Sequence, residues 1–503
     1  MHRARWLLVA FAALALSAAG AEKLTFVLDV TENRSDEGQA IVAQLQAIGI
    51  DASLRVWQSS VLKDEMIAGN RTASTSDWGS AYFDPFDLAI PKLRTKDRGN
   101  YSFYSNADVD EAFRVASTSI DDETRAAAYK RAQRAIYADA ALGFGYVLQN
   151  IEAASDAVKG WEPAADNSEN MHKVSVDGSD TLVLAMRTNA LVTFDPAMYR
   201  DRETEAVLRN IFDALTIPTA QGQIQPHLAT SWRVVDPLTY EFDLRDGVTF
   251  SNGEVLDADD VVFTFGRILT EGAVGGQTSP RAGLLGPIDH VEKVDAHTVR
   301  FHYKETFPQE LVLQALSHFQ IVPHEYVTEV GDAAFAKAPI GSGPFVYARG
   351  ALDAQVVLEA NQGHWNGAPK LKSVVFQMMP EPSTRIAALL AGEVHVIQAV
   401  PPDLVERLQG VPGVGVHTAL GTRSYQIELN NATAPFNDTR VRQAFNYAID
   451  WNSILSNIYL GYGDRLSTVF LPSGFGFDSD LAPYPYDPEK AKQLLREAGY
   501  DTN

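Results

Sequence analysis

Apolar and polar positions alternate along Leu24, Phe26, Leu28 and Val30, the spacing of a strand with one covered face. Ile41, Leu45 and Ile48 then recur at helical spacing. This predicts a helix from Ser35, with Ser35 as its cap, Asp36 and Glu37 at the positive dipole end and Gly49 as its stop. Ala52, Leu54 and Val56 return to strand alternation. A strand–helix–strand unit of this kind implies parallel strands in a helix-covered sheet, and so an α/β fold. The segment "YDPEKAKQLLREAGYDTN" reads as another helix: Asp487 caps it, Pro488 suits its first turn, Ala491, Leu494, Leu495 and Ala498 form one apolar stripe, and Gly499 ends it. An α/β layer places a strand after such a helix. Leu24–Val30 supplies one, so the two ends of the sequence are expected to be neighbours.

Composition sharpens the picture. A length of 503 residues with 46% apolar content exceeds one hydrophobic core and suggests two or three domains. Residues 1–21 read as a secretory signal: Arg3 and Arg5 form the charged end, Trp6 to Ala18 the apolar run, and Ala19-Gly20-Ala21 the cleavage site. That run is too short for a stable membrane anchor, and no other stretch approaches the length of a spanning helix. Cleavage would make the net charge of −22 more negative by two, which disfavours nucleic acid and anionic lipid as partners. The chain has no cysteine, which excludes disulfides, zinc–thiolate sites and cysteine lipidation.

No pattern of catalytic or metal-ligating residues emerges. Gly341–Pro344, "GSGP", lacks the spacing of a nucleophile elbow or phosphate loop and reads as a tight turn. "PHEYVT" starts like a zinc-protease motif, but Thr328 stands where a second histidine is required, leaving His324 an ordinary loop or helix residue. The 11 histidines show no two-ligand spacing on one helix. The expectation is no catalysis, no metal and no cofactor.

Several long stretches resemble the peptide/nickel-type (family 5) extracytoplasmic solute-binding proteins of ABC importers. They are "LATSWRVVDPLTYEFDLRDGVTFSNGEVLDADDVVFTFGRI" (228–268), "APIGSGPFVYARG" (338–350), "HWNGAPKLKSVVFQMMPEPSTRIAALLAGEVHV" (364–396), "LNNATAPFNDTRVRQAFNYAIDWNSIL" (429–455) and "YDPEKAKQLLREAGY". Residues 23–176 resemble the final third of that family, notably "YSNADVDEAFRVASTSIDDETRAAAYKRAQRAIYADA" and "VKGWEP". A family member would run from about Thr181 to Asn503 and continue from about Lys23 to Val176, so the order here looks circularly permuted. The join is expected at Asp177-Gly178-Ser179-Asp180, a D-G hairpin turn between strands near 173–176 and 181–186.

The resemblance implies a two-lobed α/β periplasmic-binding-protein fold of type II, in the large cluster C form with an extra inserted subdomain. Lobe II would combine 22–148 with 420–503. Lobe I would take 149–211 and 339–419 as its base and 212–338 as the insertion, with hinges near 143–150 and 418–425. Its implied function is capture of an oligopeptide or peptide-like solute in the periplasm of a Gram-negative bacterium, by a monomer that delivers it to ABC permease subunits. An opine, oligosaccharide or metal chelate is the alternative cargo, and a peptide chaperone or sensor the alternative role.

The loop "SDWGSAYFDPFDLAIPKL" (76–93) is placed at the cleft by the resemblance, with Trp78, Tyr82 and Phe83 as aromatic walls. Dipeptide-binding members carry an aspartate for the ligand's ammonium group where this chain has Ala81. The amine clamp is therefore missing, and Asp84 reads as structural. Arg34, in a strand-to-helix loop, suits a ligand carboxylate or, equally, a salt bridge. Asn189, beside Leu191, and Tyr425 and Asn430 complete the candidates, Asn430 with a structural alternative as a loop-bonding residue.

Overall fold

The computed structural model describes residues 22–80, 82–219 and 222–502. The signal-like segment 1–21, Ala81 and Asn503 lie outside them. Thr25–Thr31 is a strand, and Leu24, Phe26, Leu28 and Val30 are all buried. Asp51–Trp57 pairs with it in parallel, from Thr25↔Asp51 to Thr31↔Trp57. Its inward alternation holds at Ala52, but Val56 is 47% exposed, because this strand ends the sheet and has a neighbour on one side only. The helix between them spans Ser35–Ala47. Ser35 does not cap it: a short 3-10 turn at Glu32–Arg34 leads in, Arg34 takes the cap position, and Ser35 is already helical. The second predicted helix is observed at Pro488–Glu497, where the Asp487 side chain accepts from the Lys490 N–H. Gly49 and Gly499 both adopt the left-handed backbone, φ +91° and +97°, that ends these helices at little steric cost.

The two ends of the described stretch meet. Glu22 and Lys23 pair in parallel with Tyr500 and Asp501. Leu24, Phe26, Leu28 and Val30 share one buried cluster with Ala491, Leu494 and Leu495. The segment Asp177–Asp180 does turn tightly, with Gly178 at φ +82°, but it does not join a hairpin. Ser175–Val176 pairs with Val158–Lys159, whereas Thr181–Met186 runs in parallel with Ser373–Met378. The apolar residues of Thr181–Met186 are better buried inside the large sheet than beside a two-residue partner.

Among the described residues that sheet has 11 strands, one of them the short Gly463–Arg465 set against Gly143–Ser155 off the main path. Its middle is formed by two long antiparallel strands, Gly143–Ser155 and Val414–Leu429. On one side lie Val396–Ile397, Thr181–Met186, Ser373–Met378, Gln355–Ala360 and Phe345–Gly350; on the other lie Ala73–Gly79, Thr25–Thr31 and Asp51–Trp57. The buried side chains divide accordingly. One set of clusters joins residues 24–146 with 427–495, and another joins 151–212 with 322–408. A separate antiparallel sheet of Ala229–Asp236, Thr239–Leu244, Thr298–Tyr303 and Ile288–Asp295 has its own core. The result is a two-lobed α/β molecule whose lobes are bridged by the two central strands.

Candidate ligand-binding cleft

The bridging strands are irregular where they cross between the lobes. Leu420 pairs with Gln149, but the next pair is Ser424 with Val147, so Gly421, Thr422 and Arg423 include extra residues that bulge from the ladder. Gly421 is required there: a Cβ would stand 2.9 Å from the Leu148 carbonyl oxygen. The bulge and the facing residues Leu148, Gln149, Asn150, Ile151 and Glu152 line a cleft of about 630 Å³. One wall adds Arg187, Arg200, Arg202, Glu203 and Gln398; the other adds Gly79, Ser80, Asp87, Tyr425 and Tyr459. A side chamber of about 410 Å³ shares Gly79, Asp87, Arg200 and Arg423 with it and is lined by Trp78 and Tyr101.

Most charged groups in this region already have partners. Arg187 pairs with Glu203 at 2.8 Å, Arg202 with Glu205 at 2.8 Å, and Arg423 with Asp77. Arg200 donates to the Pro280 carbonyl at 3.2 Å, and no carboxylate lies within ion-pairing distance of it among the described residues. Although Arg200 is exposed, partial loss of solvent inside the cleft lowers its pKa, against the opposing field of Asp87. Glu152 is 2% exposed, and its Oε2 has no hydrogen-bond partner among the described residues. Burial, then the neighbouring Glu169, hold the Glu152 carboxyl well above the usual carboxylate range. Burial likewise pushes Glu169 up to about 7, although Trp161 Nε1 and Gln398 Nε2 donate to it at 3.0 and 2.9 Å.

The seven residues singled out in the sequence separate. Tyr425 lines the cleft, stacked on Tyr146 with ring centroids 5.1 Å apart. Trp78 lines the side chamber, half-buried, its Nε1 donating to the Asp87 carbonyl at 2.8 Å. Tyr82 and Phe83 do not form aromatic walls of the main cleft. Tyr82 is buried in the core of the inserted sheet and donates to the Leu284 carbonyl, and the Phe83 N–H donates to Gln314 Oε1 at 2.7 Å. Together with Arg202, which donates to the Ser80 carbonyl at 2.7 Å, they tie one lobe to the other. The apolar rings find more buried surface in the opposite lobe than in a polar cleft.

Arg34 is likewise no ligand clamp. It is 4% exposed, with Nε and Nη2 on the two carboxylate oxygens of Glu37 at 2.9 and 2.5 Å. The Tyr146 and Tyr459 hydroxyls also donate to Glu37, at 2.7 and 2.9 Å. Asn189 is exposed and lies outside the cleft lining. Asn430 is buried and bonds backbone, its Nδ2 donating to the Arg71 carbonyl at 3.1 Å and its Oδ1 accepting from the Ala432 N–H at 3.1 Å. Asp84 is the structural residue expected, paired with Arg125 at 2.6 Å and accepting from the Tyr129 hydroxyl at 2.8 Å. Sequence reasoning missed Asn150, Glu152, Arg187, Arg200 and Gln398. The sole signal was a glutamate in an otherwise apolar strand, "NIEAAS".

A cleft between two sheet-built lobes, floored by two crossing strands, is one of the few arrangements that can enclose a small solute. Residues 223–503 match the family model described as bacterial extracellular solute-binding proteins, family 5 middle. The chain belongs to the family 5 solute-binding proteins. Among curated family 5 relatives, the heme-binding protein A of Haemophilus influenzae is 30% identical over 362 residues, 67% of this chain and 66% of that one. The di/tripeptide-binding protein 1 of Pseudomonas aeruginosa is 32% identical over 327 residues, 61% of each chain. Among solved family 5 structures, the periplasmic binding protein DppA from Helicobacter pylori in complex with the peptide STSA superposes with a TM-score of 0.53 and 28% identity. That superposition covers 64% of this chain and 66% of that one. The chain thus spans about two thirds or less of the length of these relatives.

Proposed function

We propose that this protein is the solute-capturing component of an ABC importer, enclosing a peptide or peptide-like solute between its lobes and delivering it to membrane permease subunits. It works in the periplasm, as a monomer and without catalysis. The observation that carries this reading is the cleft of about 630 Å³, floored by Leu148–Glu152 and Gly421–Arg423 and walled by both lobes. A ligand contacting both walls favours the closed arrangement by its extra contacts there, and closure presents a composite surface for a permease. The relatives named for di/tripeptides and the neighbour holding the peptide STSA support a peptide-like cargo. Arg200 suits its acidic end.

The reading also takes the segments as permuted relative to the family. Residues 22–148 and 420–503 form one lobe, 149–419 form the other with 212–338 as its insertion, and Asp177–Asp180 is the join. The core shared by Leu24–Val30 and Ala491–Leu495 supports this order, as does a family match that begins only at residue 223.

Native mass spectrometry of protein purified without denaturation tests the function. The expected result is a bound small solute, lost on unfolding and refolding and regained from a peptide pool. A protein that binds nothing from such pools yet hydrolyses them would contradict the reading.

A further inference from the structure

We infer that Glu152 receives a protonated nitrogen of the captured solute, so that amine- or amidine-bearing solutes are the class this cleft selects. The inference rests on the proposed role of the cleft as the solute site and deepens it. Glu152 lies on the strand that floors the cleft, with only 2% of its surface exposed. A carboxyl so placed loses its water, and Oε2 gains no protein donor in return. Nearby donors are committed elsewhere: Arg187 to Glu203, and the Gln398 amide to Glu169. A carboxyl left incompletely bonded in this way, and kept neutral for that reason in the empty molecule, is answered by a cation that arrives with the solute.

The surroundings favour a cation over a neutral donor. Glu169, behind the floor, lies close enough to raise the Glu152 carboxyl further, and Arg187, the cation nearest it, is already paired with Glu203 and offsets this less. Held neutral when the cleft is empty, Glu152 would ionise as a cationic nitrogen approaches and release its proton to solvent. Lobe closure then excludes water, and the resulting ion pair gains strength as the local dielectric falls.

The test retains solutes on wild-type protein and on Glu152→Gln, which keeps the side chain's shape. The probes are a tripeptide library with free amino groups and the same library N-acetylated, read by mass spectrometry after gel filtration. Wild type is expected to retain the free-amine library at least tenfold better. Glu152→Gln should bring the two libraries within about twofold of each other, with an unchanged melting profile as the check on folding. Equal retention of both libraries by wild type, or unchanged preference in Glu152→Gln, overturns the inference while the solute-binding reading stands. Retention of neither library counts against the peptide reading. The comparison is then repeated with diamines and amino sugars against their N-acetylated forms; preference for the free amines, lost in Glu152→Gln, supports the inference, and any other result overturns it.

Discussion

Two buried glutamates near the floor of the cleft have opposite surroundings. Glu37 accepts from both nitrogens of the Arg34 fork and from the Tyr146 and Tyr459 hydroxyls. Glu152, equally buried, has an oxygen with no donor among the described residues. The first network is closed on itself, and the ion pair holds the Arg34 guanidinium protonated against the cost of its burial. The second is open toward the space between the lobes. Burial of a charged or polar group is therefore not a sign of a binding residue; what separates scaffold from site is whether the protein itself completes the hydrogen bonds.

This contrast can be broken by mutation. Glu37→Gln strips the negative charge from a saturated network and leaves Arg34 buried without its counter-ion. The expected loss of folding stability is about 3–5 kcal/mol, measured by denaturant unfolding, with solute retention per folded molecule preserved. A stable Glu37→Gln protein with abolished retention would move Glu37 from scaffold to site and erase the distinction.

A smaller effect concerns pH. Glu169 titrates near about 7 in the folded protein, above its ordinary value of 4.5, because it is buried. The folded state then holds more protons than the unfolded chain between those values, so its stability is full below about 4.5 and falls as pH rises through about 7. The expected change is on the order of 3 kcal/mol, and Glu169→Gln should reduce it. Melting curves of the solute-free protein across that window check this. An unchanged slope in Glu169→Gln would mean that Glu169 is not the source.

Periodicity made much of the scaffold legible. The alternation of Leu24 to Val30 and the stripe Ala491, Leu494, Leu495 report local geometry and one covered face, and both were found where the pattern put them. The Asp487 cap is equally local. The hairpin at Asp177–Asp180 failed because a D-G turn states how the chain reverses, not which neighbours its flanking strands will choose. The candidate site was less legible still. Tyr82 and Phe83 were read as aromatic walls of the cleft, and only packing shows that the opposite lobe takes them up instead. Arg34 looked like a carboxylate binder because it is one, for Glu37 three residues along the same turn. The character of Glu152 depends on Glu169, Arg187 and Gln398, which come from three other segments, so no local pattern could reveal it.

The central claim is that the two lobes close on a solute, and small-angle scattering tests it most directly. Protein stripped of solute by unfolding and refolding is compared with the same sample after the free-amine tripeptide library is returned. A smaller radius of gyration on return of the library, with compact scattering in both samples, is the predicted result. Retention of the peptides with no change in that radius would contradict closure and reduce the cleft to a fixed surface groove.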